Sequence, residues 1–154
     1  MTRRPAALLA AYLVVLVALT FFPFDGLSGG DPVDLRLQAF RTINFALREG
    51  IGSREFAVLI GNVAAFVPLG VLLPQVLRCK SVLLVLVIAL ALSVAIEVGQ
   101  LAISIYLGFA YRSADIDDVI VNVFGAFVGY VVFVIANRLI ERNQALRDAK
   151  APPA

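Results

Sequence analysis

The residues able to do chemistry in this chain fall into a few short runs. Ser93, Glu97, Gln100 and Ser104 are spaced by four, three and four, so a helix would carry them on one face. Arg112 follows, then Asp115, Asp117 and Asp118. Asp118, Asn122, Gly125 and Gly129 repeat the four, three, four spacing, and Asn62 stands apart upstream. The three aspartates fit two kinds of chemistry. They can accept the unpaired amide hydrogens at the start of a helix and suit the positive end of its dipole. Alternatively, two of them could hold a divalent cation, with Glu97 or Asn122 completing the set. Arg112 offers a planar fork suited to phosphate or carboxylate. The chain has no histidine and a single cysteine, Cys79. Histidine-based acid–base chemistry, Ser-His-Asp and Cys-His arrangements, multi-cysteine metal sites and an internal disulfide framework are all excluded. Cys79, between Arg78 and Lys80, is read as a residue without a special role.

The elements that must position these groups are membrane helices. The chain has 154 residues, 61% of them hydrophobic and 16% charged, with a mean hydropathy of +0.94. A soluble domain is about half apolar and about one quarter charged. A spanning helix needs about 20 apolar residues, and in hydrocarbon a helix satisfies its own backbone. Four stretches qualify, at about 6–22, 56–77, 82–106 and 119–140. The expected fold is therefore all-α, a single polytopic domain over 1–154 built as a four-transmembrane-helix bundle. The first stretch also resembles a signal peptide, with Arg3-Arg4 ahead of an apolar run. The large aromatics Phe21, Phe22 and Phe24 favour a retained helix.

Charge sets the expected orientation. With both termini in the cytoplasm, Arg3, Arg4, Arg78, Lys80, Arg138, Arg142, Arg147 and Lys150 lie inside. Arg36, Arg41, Arg48, Arg54 and Arg112 lie outside, with most of the acids, including Asp25, Asp31, Asp34, Glu49 and Glu55. The one long connection, 23–55, opens with turn residues (Pro23, Gly26, Ser28, Gly29, Gly30, Pro32). From Asp34 to Arg48 a helical projection gathers Leu37, Phe40, Ile43, Ala46 and Leu47 on one side, which reads as a short interfacial helix on the outer leaflet. An ordered loop packed on the bundle fits equally well. The charged tail 141–154, ending Pro152-Pro153, reads as a frayed end.

A carboxylate at the depth of Glu97 needs a partner or a wet cavity. Arg112 in the next connection is the expected partner, either in a purely structural ion pair or at a ligand site. Gly125-x-x-x-Gly129 lets another helix approach closely, and the expected neighbour is the third span, bringing Glu97 and Gln100 near Asn122. Pro68 and Gly70 predict a kink in the second span. Asn62, Glu97, Gln100, Arg112, Asp115, Asp117, Asp118 and Asn122 thus form one candidate cluster toward the outer side, with Glu97 deepest.

Asn62-x5-Pro68-x-Gly70, Glu97-x2-Gln100 and Arg112-x2-Asp115-x-Asp117-Asp118-x3-Asn122-x2-Gly125 resemble, in order and spacing, the motifs of the VanZ-like family. The resemblance runs from about Gly61 to Tyr130. It implies a multi-pass protein of the bacterial plasma membrane, in a family named for its association with resistance to the glycopeptide teicoplanin. The expected function is an envelope protein whose outward polar pocket binds a lipid-linked or cell-wall-related ligand. Two alternatives stand beside it: a lipid-modifying enzyme using Asp115, Asp117 and Asp118, and a small transporter or scramblase. Membrane lipids, a lipid-linked precursor or a glycopeptide are the expected partners. No nucleic acid and no resident cofactor are expected, apart from the candidate divalent cation at Asp115, Asp117 and Asp118.

Overall fold

A computed structural model describes residues 3–22, 32–33 and 35–148. The turn residues Pro23, Gly26, Ser28, Gly29 and Gly30, the acids Asp25, Asp31 and Asp34, and Lys150 and Pro152-Pro153 lie outside the described residues. The element order is α1 (Arg3–Phe21), β1 (Leu35–Arg36), α2 (Arg41–Glu49), α3 (Arg54–Leu77), α4 (Val82–Leu107), β2 (Ala114–Asp115) and α5 (Ile116–Asp148). Helices α1, α3, α4 and α5 are long and apolar enough to cross a membrane. The chain is a nearly all-α polytopic membrane bundle.

Short polar signals delimit the helices. The Ser53 hydroxyl accepts the Phe56 N–H at the start of α3, and Ser81 accepts Leu84 N–H at the start of α4. Gly108 ends α4 in the left-handed conformation, which glycine adopts without a side-chain clash. Helix α3 stays helical through Pro68 and Pro74.

The core sits where α1, α3, α4 and α5 meet, around Leu16, Phe66, Leu69, Ala89, Ile96 and Ala126. The most extensive pair is α3 with α5, and its cause is the small residues. A Cβ added at Gly125 would fall on the Val63 carbonyl, one at Gly129 on the Val67 carbonyl, and one at Gly70 on the Ala126 carbonyl. Backbone meets backbone along this seam, as small-residue crossings allow. The glycine face therefore packs on the second span, not on the third as its spacing had suggested. Gly70, which reads in sequence as a break, is the matching notch. Helix α4 still reaches α5 through Asn122, whose Nδ2 donates to Ser93 Oγ at 2.9 Å. Helix α1 is tied to α3 by Tyr12, whose hydroxyl donates to the Ala65 carbonyl at 2.8 Å.

Two expectations change, and one element is new. The tail is helical to Asp148, so 141–148 continues α5 as exposed turns. The α3–α4 turn meets the second half of α5: the Tyr130 hydroxyl donates to the Lys80 carbonyl at 2.6 Å, and Lys80 Nζ lies 3.7 Å from Glu141. The short helix spans only Arg41–Glu49, with Phe40 at its N-cap position rather than inside it. Ahead of it, Leu35 and Arg36 pair in parallel with Ala114 and Asp115. A two-residue pairing leaves no periodicity to read in sequence.

Candidate functional site

At the end of the bundle where α3 and α5 begin and α1 and α4 finish, the 35–53 segment folds down as a cap. Helix α2 lacks a capping side chain of its own. Its N-cap residue is Phe40, held at φ 65° and ψ 8°, a left-handed conformation that costs a residue with a Cβ about 1–2 kcal/mol. The cap comes from α5 instead. Asp117 Oδ1 accepts the Phe40 N–H at 2.5 Å, and its Oδ2 accepts Thr42 N–H at 2.7 Å and Ile43 N–H at 3.1 Å. A buried carboxylate thus satisfies three amide hydrogens of the first turn of α2 and faces the positive end of its dipole.

The other acids extend this arrangement inward. Asp115 Oδ1 accepts Asp117 N–H at 2.9 Å, which caps α5 itself, and Asp115 Oδ2 accepts the Thr42 hydroxyl at 2.5 Å. Glu97 Oε2 accepts Asp115 N–H at 2.9 Å. Glu97, Asp115 and Asp117 form a stepwise relay in which each carboxylate holds the backbone of the next residue outward, and the last holds α2. Asp118 lies beside the Asn62 side chain, where α5 meets α3. In sequence these aspartates fit either the cap of one helix or a shared divalent cation. Asp115 caps α5, whereas Asp117 caps a helix 68 residues upstream by the position of its last residue, Glu49.

The Glu97–Arg112 pairing is corrected. Arg112 is exposed and acts on Glu97 and Asp118 through its field, without an ion pair to Glu97 among the described residues. The deep acid gains its support from a backbone N–H, which desolvates no second charge. Gln100 turns away from the acids, and its Nε2 donates to the Thr20 carbonyl at 3.1 Å. Asn122 Oδ1 is buried without a partner among the described residues. Two residues outside the candidate set complete the cap. Ser104 Oγ accepts Tyr111 N–H at 3.1 Å, and the Tyr111 hydroxyl donates to the Phe21 carbonyl, closing the α4–α5 connection over α1. Ser104 shares the helical face of Glu97 and was legible. Thr42 and Tyr111 carried no signal beyond their polarity.

This end also has a groove of about 680 Å³ along α2, whose lining includes Phe40 and Thr42 beside the relay. Arg36, Arg41, Arg48, Phe40 and Phe45 are among the residues that line it, and none of the eight candidate residues does.

The comparisons with known proteins agree with the motifs. The VanZ/LLP1 family model matches residues 9–137. Protein VanZ of Enterococcus faecium is 30% identical over 137 residues, which cover 89% of this chain and 78% of that protein. No solved structure matches. The spaced motifs sit on the relay, on the α3–α5 seam and where Asn62 lies beside Asp118, and the match extends over most of the bundle around them: the chain belongs to the VanZ/LLP1 family.

Proposed function

We propose that this chain is a non-catalytic protein of the bacterial plasma membrane, with both termini cytoplasmic, whose capped end faces outward and binds a lipid-linked or cell-wall-related ligand. The association of the VanZ-like family with teicoplanin resistance makes glycopeptide tolerance the expected phenotype. The observation that carries the reading is the relay. Polar groups from α3, α4, α5 and the 35–53 segment converge at one end, and the oxygens of Asp115 and Asp117 are committed to holding α2 and the start of α5 in place. Acids used this way are poorly placed for acid–base or cation chemistry, which weighs against a lipid-modifying enzyme. They are well placed to fix a recognition surface. The clustering of Lys and Arg at the opposite end supports the orientation.

Two measurements on intact cells test the proposal. With Cys79 replaced by Ser, a cysteine at exposed Asn44 on α2 should react with an impermeant maleimide. In the unmodified chain Cys79 should stay unlabelled. Expression should raise teicoplanin tolerance, and Asp117→Ala should abolish the gain. Labelling of Cys79 from outside would overturn the orientation. Tolerance that survives release of the cap would overturn the role given to this end.

A further inference from the structure

We propose that the α2 groove is a binding site for the phosphate headgroup of a membrane lipid carrying more than one negative charge. The inference deepens the ligand reading above and rests on it for the placement of this end among headgroups. Arg41, Asn44, Phe45 and Arg48 fall at i, i+3, i+4 and i+7 of α2, so they form one stripe, and all four are exposed. In the lining Arg41 and Arg48 stand against one acid, Glu55, so the groove favours an anion. Arg41 and Arg48 are about 10 Å apart along the helix, from seven steps of about 1.5 Å. That spacing suits a headgroup presenting several anionic oxygens, which guanidinium forks grip from two sides.

Two features make the occupant a lipid. Glu55 lies in the first turn of α3, one residue before its apolar run begins at Phe56, so the groove stands at the boundary between water and hydrocarbon. Phe40 and Phe45 line it while 57% and 51% exposed, and aromatic rings beside cations are what an acyl–headgroup boundary covers. Phe40 is set there by the Asp117 cap in a strained backbone conformation, and such strain clusters at ligand sites. The relay therefore presents the groove without entering it.

The test uses the full chain purified in detergent and dioctanoyl lipids as probes. Phosphatidic acid should bind saturably and more tightly than phosphatidylglycerol, and phosphatidylcholine should not compete. Removing one surface arginine weakens lipid attraction about fivefold, so Arg41→Gln with Arg48→Gln should weaken phosphatidic acid about twentyfold or more. Lysine at both positions should restore part of the loss, because charge returns without the fork. The single change Arg48→Gln, in the exposed last turn, gives the same reading if the double variant is unstable. Binding within twofold of the unmodified chain in these variants overturns the site. Phosphatidylcholine binding as tightly as phosphatidic acid also overturns it, as does inorganic pyrophosphate doing so, since the groove would then read a soluble anion. The assay contains no antibiotic and no intact membrane, so its failure leaves the tolerance reading standing. A chain that binds phosphatidic acid through Arg41 and Arg48 yet confers no tolerance overturns that reading and not this one.

Discussion

Replacing Asp117 by Ala should release α2 from the bundle while leaving the four long helices folded. The carboxylate accepts Phe40, Thr42 and Ile43 N–H at 2.5, 2.7 and 3.1 Å. A neutral N-cap lost to Ala costs about 0.5–2 kcal/mol, and each bond to a charged group is worth about 1.5–3 kcal/mol. The full sum is never reached, because α2 can lift off and give its amides back to water. Phe40 also relaxes from its left-handed conformation when this happens, which returns about 1–2 kcal/mol. The net loss of docking is about 3 kcal/mol, or a rise of about a hundredfold in the opening constant. Asn at 117 keeps one acceptor oxygen but turns a donor toward an N–H, so about 2 kcal/mol is expected.

Hydrogen exchange on the detergent-solubilised chain reads this directly. Peptides covering 40–49 should exchange about a hundredfold faster in Asp117→Ala, while peptides within α3 and α5 change little. Asp118→Asn is the control, because Asp118 lies beside Asn62 of α3 and, among the described residues, accepts none of the hydrogen bonds from the start of α2. Protection of 40–49 within threefold of the unmodified chain in Asp117→Ala would refute the relay as the force that holds the cap.

Three further outcomes follow. Gly129→Ala and Gly70→Ala should each destabilise the bundle by about 1–3 kcal/mol in thermal melts, since the new methyl meets fixed backbone; Gly61→Ala, with open space around it, should be neutral or stabilise by up to about 1 kcal/mol, and equal effects at all three would refute the seam. Glu97→Gln and Arg112→Gln should add, with a coupling under about 1 kcal/mol, because they share no desolvated ion pair; a coupling of about 3–5 kcal/mol in a double-mutant cycle would restore the pair. Magnesium, calcium and manganese should leave the melting temperature unchanged, because both oxygens of Asp115 and of Asp117 already accept hydrogen bonds; a rise that vanishes in Asp115→Asn and Asp117→Asn would favour a cation over capping.

The spans were legible because hydrocarbon imposes one rule on every residue within it. Their helices start and stop within a few residues of the apolar runs, except at Arg3 and Asp148, where polar turns extend them. The polar faces were legible from helical spacing alone. Partners were harder, because a small-residue stripe shows that something approaches without showing what. Gly125 and Gly129 could have met α4, and the sign that they meet α3 was Gly70, whose own close approach is visible only with both backbones in place. The cap was least legible. Thr42 reads in sequence as an ordinary N-cap, and only the structure shows that the cap position falls on Phe40, so that α2 takes its cap from α5.

Three acids in four positions exceed what one helix start requires, and the structure divides them among three elements. Asp115 caps α5, Asp117 caps α2, and Asp118 lies beside Asn62 of α3. Two helix N-termini point their positive ends at this short run, each equivalent to about half an elementary charge. The negative charge that looks uncompensated in sequence is therefore met largely by backbone dipoles, and Arg112 is left to act from the surface. Such an arrangement holds its ligands of backbone N–H in fixed directions, so the cap has one docked orientation. That orientation turns Ala46 inward, fully buried, and leaves Arg41, Phe45 and Arg48 facing out. The acids that first suggest a catalytic or metal centre act one step earlier in the chain of causes, by fixing which face of α2 the protein offers to its surroundings.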